Sequence, residues 1–340
     1  MRFAFSDDQK LFRDTVRALL EKECTADVVR RAWAADTDGR SPALWNHLAE
    51  LGVVGLAVPE AHGGLGLSEI DFVLLLEESG RAALAEPIVE TGVVGAPLIA
   101  ESANDELCAA WLPRVAAGQA RLAVGLEHAT FVTDAHMADL LLLQHGDELH
   151  ALPREGVKLA AEDSVDGARR LFRVAWSPSP ATRVAAGPAA RAALGRAFDR
   201  GALGVSAMLL GLARHLIDTT VEYVKVRKQF GSAIGSFQAV KHHLADALVK
   251  LEFARPVVYR AAYSMSRAPE AGPLHVSMAK AYASDAALLA ARAALQCHGA
   301  IGYSYEHDLH LWMKRVWALA AAWGDASWHR ARVGNLVLGS

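Results

Sequence analysis

Cysteine is scarce: Cys24, Cys108 and Cys297 are the only three in 340 residues, too few and too scattered for a disulfide framework or a zinc ribbon. Reduced, buried thiols in a cytoplasmic protein are the expectation. There is no basic block, and the formal net charge is -3, so the electrostatic footprint of a nucleic-acid binder is missing. No run reads as long and charge-free enough to cross a bilayer. The opening MRFAFSDDQKLFRDTVRALL has acidic residues almost at once, and neither an apolar core nor a small-residue cleavage site of a signal peptide. Nucleic acid and membrane are therefore not expected partners. β-Branched runs are few as well, whereas alanine is abundant, which favours helices. With 52% hydrophobic and 21% charged residues, the chain is expected to fold around sizeable cores or against another chain.

Periodicity divides the chain into three. Ser6 reads as an N-cap for a helix to about Glu23, and a second amphipathic segment covers Leu44 to Leu51 before Gly52. After the turn-rich LGVVGLAVPEAHGGLG, Ser68 is placed to cap a helix from Ile70 to Arg81. Further helices fit Val93 to Glu101, with a kink expected at Pro97, and Asn104 to Ala117, stopped by Gly118. Between about Arg121 and Trp176 the short apolar runs LAVGL, ADLLLLQ, ELHAL and RLFRVAW read as a small antiparallel β-domain. A hairpin turn is expected at His145 to Asp147, and Ser177 to Pro188 reads as a linker. Long helical segments follow: Ala189 to Lys228, Ser236 to Ser266 and Leu274 to His298, with shorter ones after Glu306 and Asp325. Long helices joined by short loops predict a bundle. The expected division is a helical domain over 1–118, a reduced β-domain and linker over 119–187, and a helical bundle over 188–340.

VEYVKVRKQFGSAIGSFQAVKHHLAD (Val221 to Asp246) closely resembles a signature of the acyl-CoA dehydrogenase family. QCHGAIGYSYEHDLHLWMKRV (Gln296 to Val316) is similar to that family's Gln-x-x-Gly-Gly-x-Gly stretch, and LGVVGLAVPEAHGGLG to its first domain. The resemblance spans nearly the whole chain and is weak between about 120 and 185. It implies a mainly α fold: an N-terminal helical domain, a small middle β-domain and a C-terminal four-helix bundle.

The chemistry it implies needs a carboxylate to take the α-proton of an acyl-CoA thioester while the β-hydrogen leaves as hydride to FAD. The family builds this site between subunits, and this chain retains the groups that the neighbour supplies. By resemblance, Arg227 pairs with pyrophosphate, for which its cationic fork suits better than lysine. Phe230 packs against the cofactor, Gln238 hydrogen-bonds to it, and Gln296 and Gly299 meet its ADP portion; the second glycine of that stretch is Ala300 here. Three of these residues also have a plainer reading. Arg227 could be a cation at a helix C-terminus, Phe230-Gly231 a helix stop with a core aromatic, and Gln238 a solvated residue in a first turn.

The family's base lies in a Tyr-Glu-Gly motif, which by register falls on Ala322, Trp323 and Gly324. Tryptophan cannot accept a proton at neutral pH. The base of a minority of the family falls on Gly201, and nearby Asp199 points to another side of the helix. Asp325 is better placed to cap a following helix than to act as a base. The family's flavin-ring segments Thr-Glu-Pro and Trp-Ile-Thr-Asn have no counterpart between Arg121 and Trp176. His242 and His243 point apart, and His307, Asp308 and His310 make a poor metal set, so solvent or interface roles are expected for them. Trp312, Trp317, Trp323 and Trp328 read as core or interface packing.

The resemblance therefore implies the non-catalytic subunit of a heteromeric acyl-CoA dehydrogenase, of the actinobacterial type that acts on bulky thioesters such as sterol side chains. A homologous catalytic subunit would bind acyl-CoA, in an assembly of α2β2 type, and this chain would complete its FAD site. The alternatives are a homo-oligomer that uses Asp325 as an unorthodox base, and a flavin-free scaffold.

Overall fold

The computed structural model describes residues 4–34 and 39–339. Helices α1 (Asp7–Glu23), α2 (Ala26–Ala32), α3 (Pro42–Glu50) and α4 (Glu69–Arg81) come first. A π-helical segment, Val89–Gly95, runs into α5 (Ala96–Ala100), and α6 (Asp105–Ala116) follows. The strands are β1 (Leu122–Gly125), β2 (Val132–Thr133), β3 (Leu140–His145), β4 (Glu148–Pro153), β5 (Lys158–Glu162), β6 (Leu171–Ala175) and β7 (Arg183–Ala186). Then come α7 (Gly187–Val226), a minimal hairpin of β8 (Lys228–Gln229) and β9 (Ser232–Ala233), α8 (Gln238–Arg267), α9 (Gly272–His298), α10 (Leu309–Ala321) and α11 (Ala326–Leu338).

Local chemistry sets several ends. Ser6 Oγ accepts from the Gln9 amide at 3.1 Å while the Ser6 amide donates to Gln9 Oε1 at 2.8 Å. This capping box starts α1 where expected and is worth about 1 kcal/mol. Before α4 the roles are reversed: the Ser68 hydroxyl and amide both donate to Asp71 Oδ2, at 2.8 and 2.9 Å. The kink expected at Pro97 is instead a wide turn before it. The Ala96 amide reaches back to the Thr91 carbonyl, and every residue of Val89–Gly95 is buried.

The middle strands form two sheets, ordered β1-β3-β4-β7 and β2-β6-β5. The β3–β4 hairpin turns at Gly146-Asp147, with Gly146 at φ +59°, as expected. Contrary to a purely antiparallel domain, β1 runs parallel to β3, Leu122 opposite Leu140. β7 lies inside the segment read as a linker and pairs with β4 across a bulge between Leu149 and His150.

The chain forms two compact units: Met1–Arg30, Val73–Leu84 and Val205–Ser340 make one, Arg31–Phe72 and Ala85–Gly204 the other. In the first, α8 and α9 pack along their lengths through small residues such as Ala254, Ala261, Ala279 and Ala286. Glycines carry the contact between α4 and α7: a Cβ on Gly80 would lie 2.0 Å from the Met208 carbonyl oxygen, and one on Gly211 1.8 Å from that of Glu77. In the second unit, Ala123, Leu141, Leu143 and Leu152 centre the core of the β-region. A buried ion pair, Arg40–Asp134, ties the loop before α3 to the end of β2.

α7 departs from one expectation, being long and apolar enough by composition to span a bilayer. Its most apolar window is 83% buried within the protein, the environment of a core helix. All three cysteines are buried thiols.

Candidate functional site

The first unit carries every residue assigned to the cofactor by resemblance. α7 ends at Val226; the Arg227 amide still donates to the Tyr223 carbonyl at 3.0 Å, and its own carbonyl accepts from the Ile234 amide at 2.8 Å. The backbone of Arg227 is thus fixed while its side chain is exposed. Lys228–Gln229 pairs with Ser232–Ala233, leaving Phe230-Gly231 as a two-residue turn at φ +52° and +82°. Two successive positive φ values fit the right-handed twist of a hairpin, and glycine takes such a value freely. Phenylalanine does not. Phe230 is nevertheless 93% exposed, its ring 6.2 Å from that of Phe237 in an edge-on arrangement. Its reading as a core aromatic at a helix stop is thereby excluded. Strain on a side chain that packs so little is the kind stored at functional sites.

Gln238 is the first residue of α8 and is exposed, and no side chain caps that helix. The first amides of α8 therefore have no side-chain acceptor, and the helix dipole favours an anion there. Gln296 is exposed near the end of α9. Gly299, which ends α9, stands at φ +65°, ψ -142°, and a Cβ there would meet nothing within 4 Å. Only glycine adopts that backbone readily, and its open side leaves room for close approach. Ala300 follows in the 3₁₀ turn Gly299–Tyr303, exposed. The ends of α7 and α9 are joined by ring stacking: Tyr223 lies on His298 at 4.2 Å and 17°, with His307 edge-on to His298 at 5.1 Å. No motif in the sequence marks that stack. It brings Arg227 and Gly299 out at one end of the bundle.

Trp323 occupies the turn between α10 and α11, half-buried at φ +55°. Its carbonyl accepts from His329 Nε2 at 2.8 Å, and the next carbonyl, of Gly324, accepts from Lys280 Nζ at 2.9 Å. Asp325 caps α11, accepting from the Trp328 amide at 2.7 Å. Gly201 and Asp199 lie in the second unit, both buried in α7. His310 is buried rather than solvent-facing, and Asp308 pairs with Arg30. Among the described residues no acidic, histidine or cysteine group is arranged to hold a metal. Trp312 is core; Trp317 and Trp328 are each 38% exposed.

A cavity of about 600 Å³ opens within the same unit, with Leu20, Leu216, Leu309 and Trp312 among its walls. His215 lies flat on Trp312 at 4.1 Å. Burial, aided by Arg81, holds His215 at a pKa of about 4, and burial does the same to His329 against its bond to the Trp323 carbonyl. Both imidazoles are neutral in the fold. Unfolded, they would protonate near pH 6.5, so their stabilisation is full above that value and is lost as pH falls toward about 4. The thermal midpoint should drop across that window, and His215→Phe should flatten the drop. An unchanged slope in that variant would contradict the assignment.

Two family profiles match the chain: "Acyl-CoA dehydrogenase, N-terminal domain" over residues 6–119 and "Acyl-CoA dehydrogenase, C-terminal domain" over 190–338. The acyl-CoA dehydrogenase IpdE2 of Mycolicibacterium smegmatis is 32% identical over 315 residues, covering 92% of this chain and 93% of that one. IpdE2 of Mycobacterium tuberculosis is 32% identical over 311 residues, with 91% of each chain covered. Among solved structures, the ChsE4-ChsE5 complex of Mycobacterium tuberculosis has a TM-score of 0.86 at 24% identity, with both chains fully covered. A Tcur3481-Tcur3483 steroid acyl-CoA dehydrogenase has a TM-score of 0.87 at 25% identity, with 98% of each covered.

Proposed function

This chain belongs to the acyl-CoA dehydrogenase family, and we propose that it is the non-catalytic subunit of a heteromeric enzyme, completing the FAD site of a homologous catalytic partner. One observation carries the reading. Arg227, Phe230, Gln238, Gln296 and Gly299 all stand exposed on a single unit, which leaves them accessible to a cofactor held by another chain. The residues fit FAD: a guanidinium and uncapped α8 amides suit the diphosphate, and the bare Gly299 backbone suits close approach of the ADP portion. Bound FAD supplies the hydride acceptor. This chain's part is to hold the cofactor from the far side of the subunit boundary. Removal of the α-proton falls to the partner, because Trp323 stands at the base position and Gly201 at its alternative.

Apolar side chains left in solvent support assembly with another chain. Phe253 is 70% and Val249 55% exposed on α8, and Leu338 at the end of α11 is 79% exposed. Val249 and Phe253 lie one turn apart on the same face of α8, and we take that face as the contact with the catalytic homologue in an α2β2 arrangement. The likeness to a steroid acyl-CoA dehydrogenase favours a bulky steroid-type acyl-CoA as the partner's substrate.

Expression alone and with the partner tests this. The lone chain should be poorly soluble or associate with itself and hold little flavin; co-expression should give a mixed complex with a flavin absorption spectrum. A stable flavin-loaded monomer would refute the proposal.

A further inference from the structure

The turn at the lost base is held more firmly than a link between two helices requires. Lys280, on α9, is completely buried. Its ammonium donates to the Ala320 carbonyl at 2.8 Å, to the Gly324 carbonyl at 2.9 Å and to Ser284 Oγ at 3.3 Å. Those bonds use its full set of protons. Burying an ammonium is costly unless it is satisfied in this way, and the C-terminal end of α10 offers it the negative pole of a helix. His329, also completely buried, meets the Trp323 carbonyl through Nε2 at 2.8 Å and Ser277 Oγ through Nδ1 at 3.1 Å. A carbonyl only accepts, so Nε2 carries the proton and Nδ1 takes that of the serine hydroxyl.

The backbone between these contacts is unusual. Trp323 and Gly324 are consecutive left-handed residues, at φ +55° and +84°. For a residue with a Cβ that conformation is disfavoured, and the bonds to the turn offset the cost. Gly324 has its own reason to be glycine: a Cβ there would lie 2.9 Å from His329 Nε2. Buried donors thus grip the carbonyls on both sides of Trp323 and its own, and fix the direction in which the indole leaves the chain.

We propose that Lys280 and His329 are positioning residues that hold the 322–324 turn so that the Trp323 side chain keeps this chain's own acyl-CoA position closed. The proposal rests on the reading above that Trp323 stands where the family carries its base. Loss of the base would then go together with a built plug, and one heteromeric active site would be left open where two related chains meet.

The test uses the heteromeric complex and has two arms. Eight tryptophans are present, so the Trp323 contribution is the difference between each variant and the same variant carrying Trp323→Phe. Lys280→Met and the milder Ser277→Ala, which frees His329 Nδ1, should each raise acrylamide quenching of Trp323 several-fold at a temperature where the complex is fully folded. If both variants melt earlier but quench Trp323 as wild type does, Lys280 and His329 only stabilise the bundle and the proposal falls. If Lys280→Met yields no complex, Ser277→Ala decides alone. The second arm counts binding of a redox-inert CoA thioether by calorimetry. Trp323→Ala should double the number bound per complex. An unchanged number with altered quenching would overturn the closed-site part while leaving the clamp on the turn.

Discussion

Purified without its partner and supplied with FAD, this chain should oxidise acyl-CoA thioesters at a rate lower than a base-containing relative by roughly 10²–10⁴-fold, the usual cost of removing a general base. The positions that match the family's base by register carry no acid. The Trp323 indole cannot accept a proton at neutral pH, and Gly201 has no side chain. Asp325 is engaged as the cap of α11, and Asp199 is 3% exposed. A dye-coupled assay with saturating flavin makes the measurement. Turnover at rates ordinary for the family would restore the homo-oligomer reading, with Asp325→Asn as the next variant to examine.

Arg227→Ala in the mixed complex should weaken FAD retention by roughly ten- to a hundredfold, since a hydrogen bond to a charged group is worth about 1.5–3 kcal/mol. The complex should still assemble, because the side chain is solvent-exposed and its backbone bonds to Tyr223 and Ile234 survive the change. Gln238→Ala removes a neutral contact and should cost less. Flavin content after dialysis reports both. Unaltered occupancy in the Arg227 variant would make these exposed residues a relic and leave the scaffold reading standing.

Helix boundaries were legible where the chain punctuates itself. Ser6 with Gln9 starts α1, Asn104 caps α6, and Gly118 follows its end at φ +71°. The family profiles agree with the resemblance seen in Val221–Asp246 and Gln296–Val316. Harder to see was anything that depends on distant partners. Arg-Val-Ala-Ala at β7 has little strand character of its own and becomes a strand by pairing with β4. The wide turn at Val89–Gly95 shows no local sign beyond Pro97. Lys280, alone among alanines in MAKAYA, reads as a solvated lysine; the carbonyls that bury it come from Ala320 and Gly324, some forty positions on. Phe230-Gly231 reads as a helix stop because a hairpin with two residues per strand leaves no alternation to find.

The crossing at Gly80 and Gly211 constrains how a signal could travel through the first unit. With backbone against backbone, and gaps too small for a single methyl group, α4 and α7 cannot slide past one another. A displacement at the Arg227 hairpin would then be passed sideways, through the Tyr223–His298 stack to the end of α9, rather than along α7 past Gly211.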